Sequence, residues 1–497
     1  MAVELLQSRW HAVRAGGGSA ALNRRLYECI RDCIMDGSLP VGGRLPASRD
    51  LAAGLGLSRN TVTFAYDQLR AEGYLRAVVG SGTFVTDVIP ETPLHAMRSR
   101  PMPAAQRGAR LSARGKAAVA YARAAPRQWG AFMPGVPDVT LFPHRKLGRI
   151  IARLRRQAGP ELLSYAPGGG HGVLQRSLAQ YLRQARSVVC EPEQIIVTEG
   201  VHQAIDLIVR LLADVGDTAW VEEPGYWGIR SVLAINGIVP QPVLVDNEGM
   251  RLPAPGRKPP RLAFVTPSHQ YPLGPVMSMA RRLGLLARAG QSGTWIVEDD
   301  YDSEFRFNGQ PVPSLQGMAP DGRVIYVGTF SKTLYPGLRT AYMVVPRALA
   351  DTFKTAQSEF YRGGHLLSQL ALAEFIDQGY YASHIRRMRQ VYAGRRNFLL
   401  DQIRRWLGLE WVHEYDTGAG LHLVLRLPEG CDDHAVEQAA FEHNVLVRAL
   451  SRYYIGPRRQ SGLLMGFASV PEAEMLRCFQ ILLGVLRGAM APSRAAR

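Results

Sequence analysis

Cysteine is scarce in this chain: five residues in 497, and unevenly placed. Cys29 and Cys33 stand one helical turn apart while Cys190, Cys431 and Cys478 are scattered, so neither a disulfide framework nor a zinc site is expected. The twelve histidines show no paired ligand spacing, and no metal is expected. Long apolar runs are missing too. No stretch approaches the roughly 18 uninterrupted apolar residues of a membrane span. The start, MAVELLQSRW, carries Glu4 and has no apolar segment for export, so a cytoplasmic protein with no membrane partner is expected. Acidic charge is under-represented: 42 Asp and Glu stand against 59 Lys and Arg, a formal charge of +17, which directs attention to an anionic partner. What remains is ordinary. With 46% hydrophobic and 20% charged residues the chain is not wholly disordered, collagen-like or coiled coil, and its length predicts two or more domains.

The positive charge is concentrated. Residues 87–129 hold Arg98, Arg100, Arg107, Arg110, Arg114, Lys116, Arg123 and Arg127 against Asp87 and Glu91, amid Pro and Ala and without sustained periodicity. This reads as a basic linker, either a solvated, self-repelling tether or a DNA contact. It divides the chain into an extension (1–19), a small head (20–86), the linker (87–129) and a large module (130–497).

In the head, Leu26, Ile30, Cys33 and Ile34 repeat with helical spacing, and Gly37 and Pro40 stop that helix. After the turn PVGGRLPAS, Ser48 is expected to cap a short helix with Leu51, Ala52 and Leu55 inward. Gly56 breaks it, and Ser58 caps a third helix with Val62, Tyr66 and Leu69 inward. That is a helix-turn-helix, or else a small bundle with ordinary surface polar groups. In the former, Arg59, Asn60 and Thr61 start the helix that meets base edges and phosphate. LRAVV and TFVTD then flank Gly80-Ser81-Gly82 as a hairpin whose tip permits close approach to a nucleic-acid backbone.

The large module alternates helical stretches with short apolar runs: QIIVTEG, TAWVEE, RLAFVTP, TWIVEDD and VIYVGTF. This argues for an α/β fold with a largely parallel sheet whose ligands gather beyond the carboxyl ends of the strands. Three such ends carry chemistry. Lys332 follows one strand, among Thr329 and Ser331 and seven residues before Arg339, as an amine for an aldehyde beside phosphate-binding groups. Asp299 and Asp300 end another, with Tyr301 next; one carboxylate can hold a ring nitrogen protonated. A strand turning at Gly200 into a helix aims the Val201 and His202 amides at an anion. Tyr226, just after a further strand, can stack on a ring. Gly168–Gly172 lacks the preceding strand and spacing of a dinucleotide loop.

Two resemblances join these features. The segment from RLYECIRDC to GSGTFV resembles a GntR-type winged helix, including the LP-x-SR turn and the SRNTV start of the third helix. It implies double-stranded DNA as partner, with Arg44, Arg49, Arg59, Asn60, Thr61, Gly80 and Gly82 at the contact. The phrases FMPGVPDVTLFP, TPSHQYPLGPVMSMARR, VEDDYDSEFRF and GTFSKTLYPGLR resemble a fold type I aminotransferase with a smaller C-terminal α+β subdomain, and the combination resembles the MocR family of regulators. That resemblance implies pyridoxal 5′-phosphate as cofactor. Lys332 is then the Schiff-base lysine, Asp299 the ring-nitrogen partner, Tyr301 the phenolic-oxygen partner and Tyr226 the stacking ring. Thr329, Arg339, Val201 and His202 hold the phosphate, and Tyr165 reaches the neighbouring subunit of a homodimer. Adjacent strand residues point to opposite faces, so only one of Asp299 and Asp300 faces the ring.

Departures from the aminotransferase pattern bear on activity. The late strand that usually supplies a carboxylate-binding arginine reads GLLMGFAS, with Leu463 and Leu464 there. Gly228 stands where a ω-amino-acid sensor of the family has a second arginine; Arg448, Arg452, Arg458 and Arg459 lie nearby in sequence. Tyr271-Pro272-Leu273-Gly274 replaces Asn-Pro-x-Gly, a change the family shares that favours sensing over turnover. The expected function is a cofactor-dependent transcriptional regulator sensing pyridoxal phosphate or an amine by aldimine exchange at Lys332. The alternative is a working aminotransferase with an appended DNA-binding head.

Overall fold

A computed structural model describes residues 2–15, 21–87, 111–120, 127–166, 168–253, 258–308, 312–319, 322–457 and 459–490. The chain divides into two compact units, Met1–Arg110 and Leu111–Arg497. Among the described residues no helix is long and apolar enough to cross a membrane.

The first unit has helices α1 (Ala2–Ala15), α2 (Leu22–Met35), α3 (Ser48–Leu55) and α4 (Arg59–Ala71), with strands β1 (Arg44–Leu45), β2 (Leu75–Val78) and β3 (Gly82–Val85). The apolar stripes of α2, α3 and α4 meet in one core that includes Leu26, Ile30, Leu51, Leu55, Val62 and Leu69. Gly56, at φ 63°, closes α3 in the left-handed region, and Ser58 caps α4 by accepting from the Thr61 amide. Three features depart from the sequence reading. Ser48 is not the cap of α3: the helix begins one residue earlier, with Ala47 as N-cap and no side-chain hydrogen bond there. The PVGGRLPAS turn contains a short strand, because β1 pairs antiparallel with β3 and makes the sheet order β1-β3-β2. The extension is no appendage either. Leu6 and Trp10 of α1 are buried in the head's own core, and Gln7 Nε2 donates to the Gly54 carbonyl at 2.8 Å.

Within the basic linker, Ala113–Ala120 is helical, two turns that charge counting did not suggest. Arg98, Arg100, Arg107, Arg110 and Arg123 lie outside the described residues.

The second unit is built on a sheet that, among the described residues, has the order β4-β11-β10-β9-β8-β5-β6-β7. Its strands are β4 (Ile195–Thr198), β5 (Thr218–Glu223), β6 (Val239–Asp246), β7 (Gly249–Met250), β8 (Leu262–Val265), β9 (Trp295–Asp300), β10 (Val324–Thr329) and β11 (Ala341–Val344). The β10–β9, β9–β8, β8–β5 and β5–β6 pairs are parallel, and β11 runs antiparallel to both β10 and β4. Continuous apolar strands such as β4 and β8 are buried along their whole length, as a sheet covered on both faces requires. A smaller antiparallel sheet, β12 (His422–Arg426), β14 (Gly462–Gly466) and β13 (Arg448–Ala449), forms the C-terminal subdomain with the helices Asp433–Glu442 and Glu472–Met490. The 27-residue helix Tyr380–Trp406 contributes Ile385, Met388 and Leu399 to a core shared with Leu463, Phe479 and Leu482 of that subdomain.

Candidate functional site

On the head, the residues expected at DNA are placed around the start of α4 and the wing. Arg49, Arg59 and Asn60 are exposed. Thr61 is half-buried and already engaged: its hydroxyl lies 2.8 Å from Ser58 Oγ and its amide donates to the same oxygen at 3.2 Å, closing the helix start. Gly80 and Gly82, at φ 76° and 120°, form the wing tip with backbone that β-carbons disfavour. Arg44 lies beside this tip, so that a β-carbon on Gly82 would come within 3.0 Å of its Nε. Cation and donor groups on two adjacent elements, with close backbone access between them, suit a phosphate-lined groove.

In the second unit a cleft of about 310 Å³ opens at the carboxyl ends of β5, β8, β9 and β10. It brings together Val201, His202, Tyr226, Asp299, Tyr301, Thr329, Lys332 and Arg339. Lys332 follows β10 directly. Burial pushes its ammonium below the ordinary lysine range, with Asp302 and Asp299 opposing that trend. Asp299 is buried, and burial, reinforced by the charge of Asp300, raises its carboxyl to about 7, against the attraction of Lys332. Asp300, the next residue, turns away from this cleft to pair with Arg186 at 2.6 Å and to accept from Tyr326 at 2.6 Å. The Tyr301 hydroxyl lies 2.9 Å from His269 Nδ1, which also faces Asp302 at 3.1 Å, so its ring is fixed by a buried network.

The anion-binding end is equally specific. Thr329 and Ser331 are joined at 3.1 Å, and Val201 and His202 begin a helix whose first amides have no intrahelical acceptor. Gly200, at φ 110°, is required here: a β-carbon would lie 2.7 Å from the Arg339 guanidinium. Arg339 itself donates to the Glu199 carbonyl at 2.7 Å. Tyr226 stacks on His202 with ring centroids 5.8 Å apart and an interplanar angle of 21°, its hydroxyl 3.0 Å from His202 Nε2.

Tyr165 is not in the cleft wall; its side chain is 81% exposed. Arg448 and Arg452 are both committed to Glu437, at 2.9 and 3.1 Å, and Arg458 lies outside the described residues. Gly228 packs under the His202 and Tyr226 rings: a β-carbon there would come within 2.3 Å of His202 Nε2, so a larger residue requires those two rings to shift. Gln128, Gly135, Thr266 and Tyr271 also line the cleft without having been singled out as site residues. Gly135 stands in the phrase FMPGVPD, and Thr266 and Tyr271 in TPSHQYPLGP, so the motifs carried a signal for these three; a β-carbon on Gly135 would meet Lys332 Nζ at 3.2 Å.

Comparison with known proteins agrees with this arrangement. Residues 22–85 match the family model of bacterial regulatory proteins, gntR family, and residues 140–482 match aminotransferase class I and II. The chain is 42% identical over 456 residues to the probable rhizopine catabolism regulatory protein MocR of Rhizobium meliloti, covering 91% of each chain. It is 33% identical over 450 residues to the pyridoxine biosynthesis transcriptional regulator PdxR of Corynebacterium glutamicum, covering 90% of this chain and 92% of that one. Its second unit is similar to LysN, an α-aminoadipate aminotransferase of Thermus thermophilus solved with N-(5′-phosphopyridoxyl)-L-leucine. That match has a TM-score of 0.68 at 26% identity and covers 75% of this chain and 97% of the other.

The cofactor of this domain is pyridoxal 5′-phosphate, and the cleft fits it. Asp299 Oδ1 is buried with no hydrogen-bond partner among the described residues, an acceptor that a protonated ring nitrogen satisfies. The glycine at position 200 keeps the helix start open beside Arg339 for a phosphate. A gntR-family head that binds DNA and a pyridoxal-phosphate domain in one chain make a cofactor-dependent transcriptional regulator, and the chain belongs to the MocR family of such regulators.

Proposed function

We propose that this regulator is a cytoplasmic homodimer that senses pyridoxal phosphate, or an amine that competes with the Lys332 amine for it, and converts occupancy into a change of DNA affinity. When bound, the cofactor supplies an aldehyde that bonds a primary amine and a ring that withdraws electrons. Lys332, whose ammonium form burial disfavours, is the resident amine. Asp299 holds the ring nitrogen, Tyr301 donates to the phenolic oxygen, and Tyr226 covers a ring face by leaving His202. Thr329, Arg339 and the amides of Val201 and His202 take the phosphate, and the exposed Tyr165 extends to the neighbouring subunit's phosphate. On DNA, Arg59 and Asn60 read base edges, Thr61 and Arg49 fix the helix on the duplex, and Arg44 with Gly80 and Gly82 meets the backbone beside the wing.

The observation that carries this reading is the joining of Lys332, Asp299, Thr329 and Arg339 in one cleft, on a chain whose other unit is a DNA-binding head. By linkage, if an amine ligand favours one arrangement of the heads, DNA affinity shifts by the same coupling, about 1–3 kcal/mol. The test follows visible absorbance and affinity for a genomic fragment selected on the immobilised protein, during titration with amino acids, ω-amino acids, aminosulfonates and diamines. A spectral shift accompanied by a change in DNA affinity is expected. DNA affinity unchanged at every cofactor and amine concentration overturns the reading, and keto-acid production sustained over many turnovers replaces it with an aminotransferase.

A further inference from the structure

The loop that follows the strand delivering Asp299 to the cofactor cleft borders a second cavity of about 440 Å³, which shares no lining residue with the first. Its walls are the end of the helix Gly172–Arg186, the loop after β9, and the first turns of the helix Tyr380–Trp406. Four arginines converge on it. Arg186 is buried and paired with Asp300. Arg389 donates to the Glu304 carbonyl at 2.8 Å, and Arg306 donates to the Ser268 carbonyl at 3.2 Å. Arg386 is exposed at the cavity and has no ion-pair partner among the described residues. The opposing charge among the lining residues is Glu304, whose carboxylate accepts from Tyr181 at 2.9 Å and Tyr381 at 3.4 Å. Ser303 also lines this space, although its Oγ is itself buried, with no hydrogen-bond partner among the described residues.

A surplus of guanidinium groups around one cavity is what a carboxylate ligand requires. We propose that this cavity is a second ligand site, for a small carboxylic acid bound by Arg386 and Arg306. The site goes beyond the reading above, since its ligand never touches Lys332. It is nevertheless built into the same stretch of chain. From Asp299 to Glu304, Asp299 and Tyr301 face the cofactor cleft, Ser303 and Glu304 face the second cavity, and Asp300 is tied to its Arg186. A ligand that moves the loop after β9 therefore moves the Tyr301 hydroxyl and the end of β9, the physical link that a second effector needs.

The test is calorimetric titration of the cofactor-loaded full chain with glutarate, which has no amine to bond the cofactor. Two variants report on the cavity: Arg386→Glu reverses its free cation, and Ala382→Trp fills its mouth from an exposed helix position. Saturable binding to the wild type is expected, weakened about ten-fold or more in both variants. The proposal is overturned if glutarate at about 10 mM gives no saturable binding to the wild type, or if both variants bind it as the wild type does.

Discussion

Asp299 and Asp300, consecutive at the end of β9, serve two different faces of one sheet. Asp300 is locked between Arg186 at 2.6 Å and the Tyr326 hydroxyl at 2.6 Å, whereas Asp299 keeps a buried oxygen with no partner among the described residues beside Lys332. The pleat separates them. One aspartate is satisfied by the protein, and the other keeps an unpaired buried oxygen at a cost in stability.

That cost is measurable. An unfolded aspartate ionises near 3.8, while Asp299 in the folded cleft ionises near about 7. Between those values the fold holds a proton that the unfolded chain has lost, so stability falls as pH rises through this window. Asp299→Asn should therefore raise the unfolding free energy of the cofactor-free protein at pH 8, by up to about 4 kcal/mol, with the gain vanishing near pH 4. Urea denaturation at the two pH values checks this. The same variant should lose cofactor affinity, read from its visible absorbance.

Asp300→Ala should do the opposite. It strands the buried Arg186 guanidinium, and breaking such a pair costs about 3–5 kcal/mol. Scanning calorimetry should show a lower transition for the aminotransferase unit, and Asp300→Leu combined with Arg186→Met should recover part of the loss. Equal loss in the single and double variants would assign the effect to packing.

The two units should fail separately. Arg59→Ala is expected to weaken specific DNA binding by about 1–3 kcal/mol with the cofactor spectrum intact. Lys332→Ala should abolish the borohydride-reducible link to the cofactor while its head still binds DNA. Gel-shift and absorbance measurements on both variants decide; bleaching by Arg59→Ala would show that the units are not independent.

Helix α1 should prove part of the head. Trp10 is 1% exposed and shares a core with Leu26 and Val62. Trp10→Ala should destabilise the head by about 3–5 kcal/mol, and removal of residues 1–19 should lower its melting temperature further. Circular dichroism melts of residues 1–87, which include every described residue of that compact unit, would show it.

Periodicity and punctuation made much of this legible in the chain. Helical spacing of Leu26, Ile30 and Ile34 marked the first head helix, and apolar runs such as TWIVEDD and VIYVGTF marked β9 and β10 with their chemical ends. These are local properties: a stripe or a buried strand is written in consecutive residues, and so is the polar group that ends it. Where each strand lies in the sheet is not written there. The sequence determined that Asp299, Lys332 and Arg339 stand at strand ends and that Arg59 and Asn60 begin a capped helix. Only the tertiary structure decided that Trp10 belongs to the head's core, that Gly135 and Gly200 make room beside Lys332 and Arg339, that Gly228 packs under the His202 and Tyr226 rings, and that four arginines from three elements meet at a second cavity. Those facts depend on contacts between residues far apart in the chain, where packing and burial, rather than local pattern, fix what touches what.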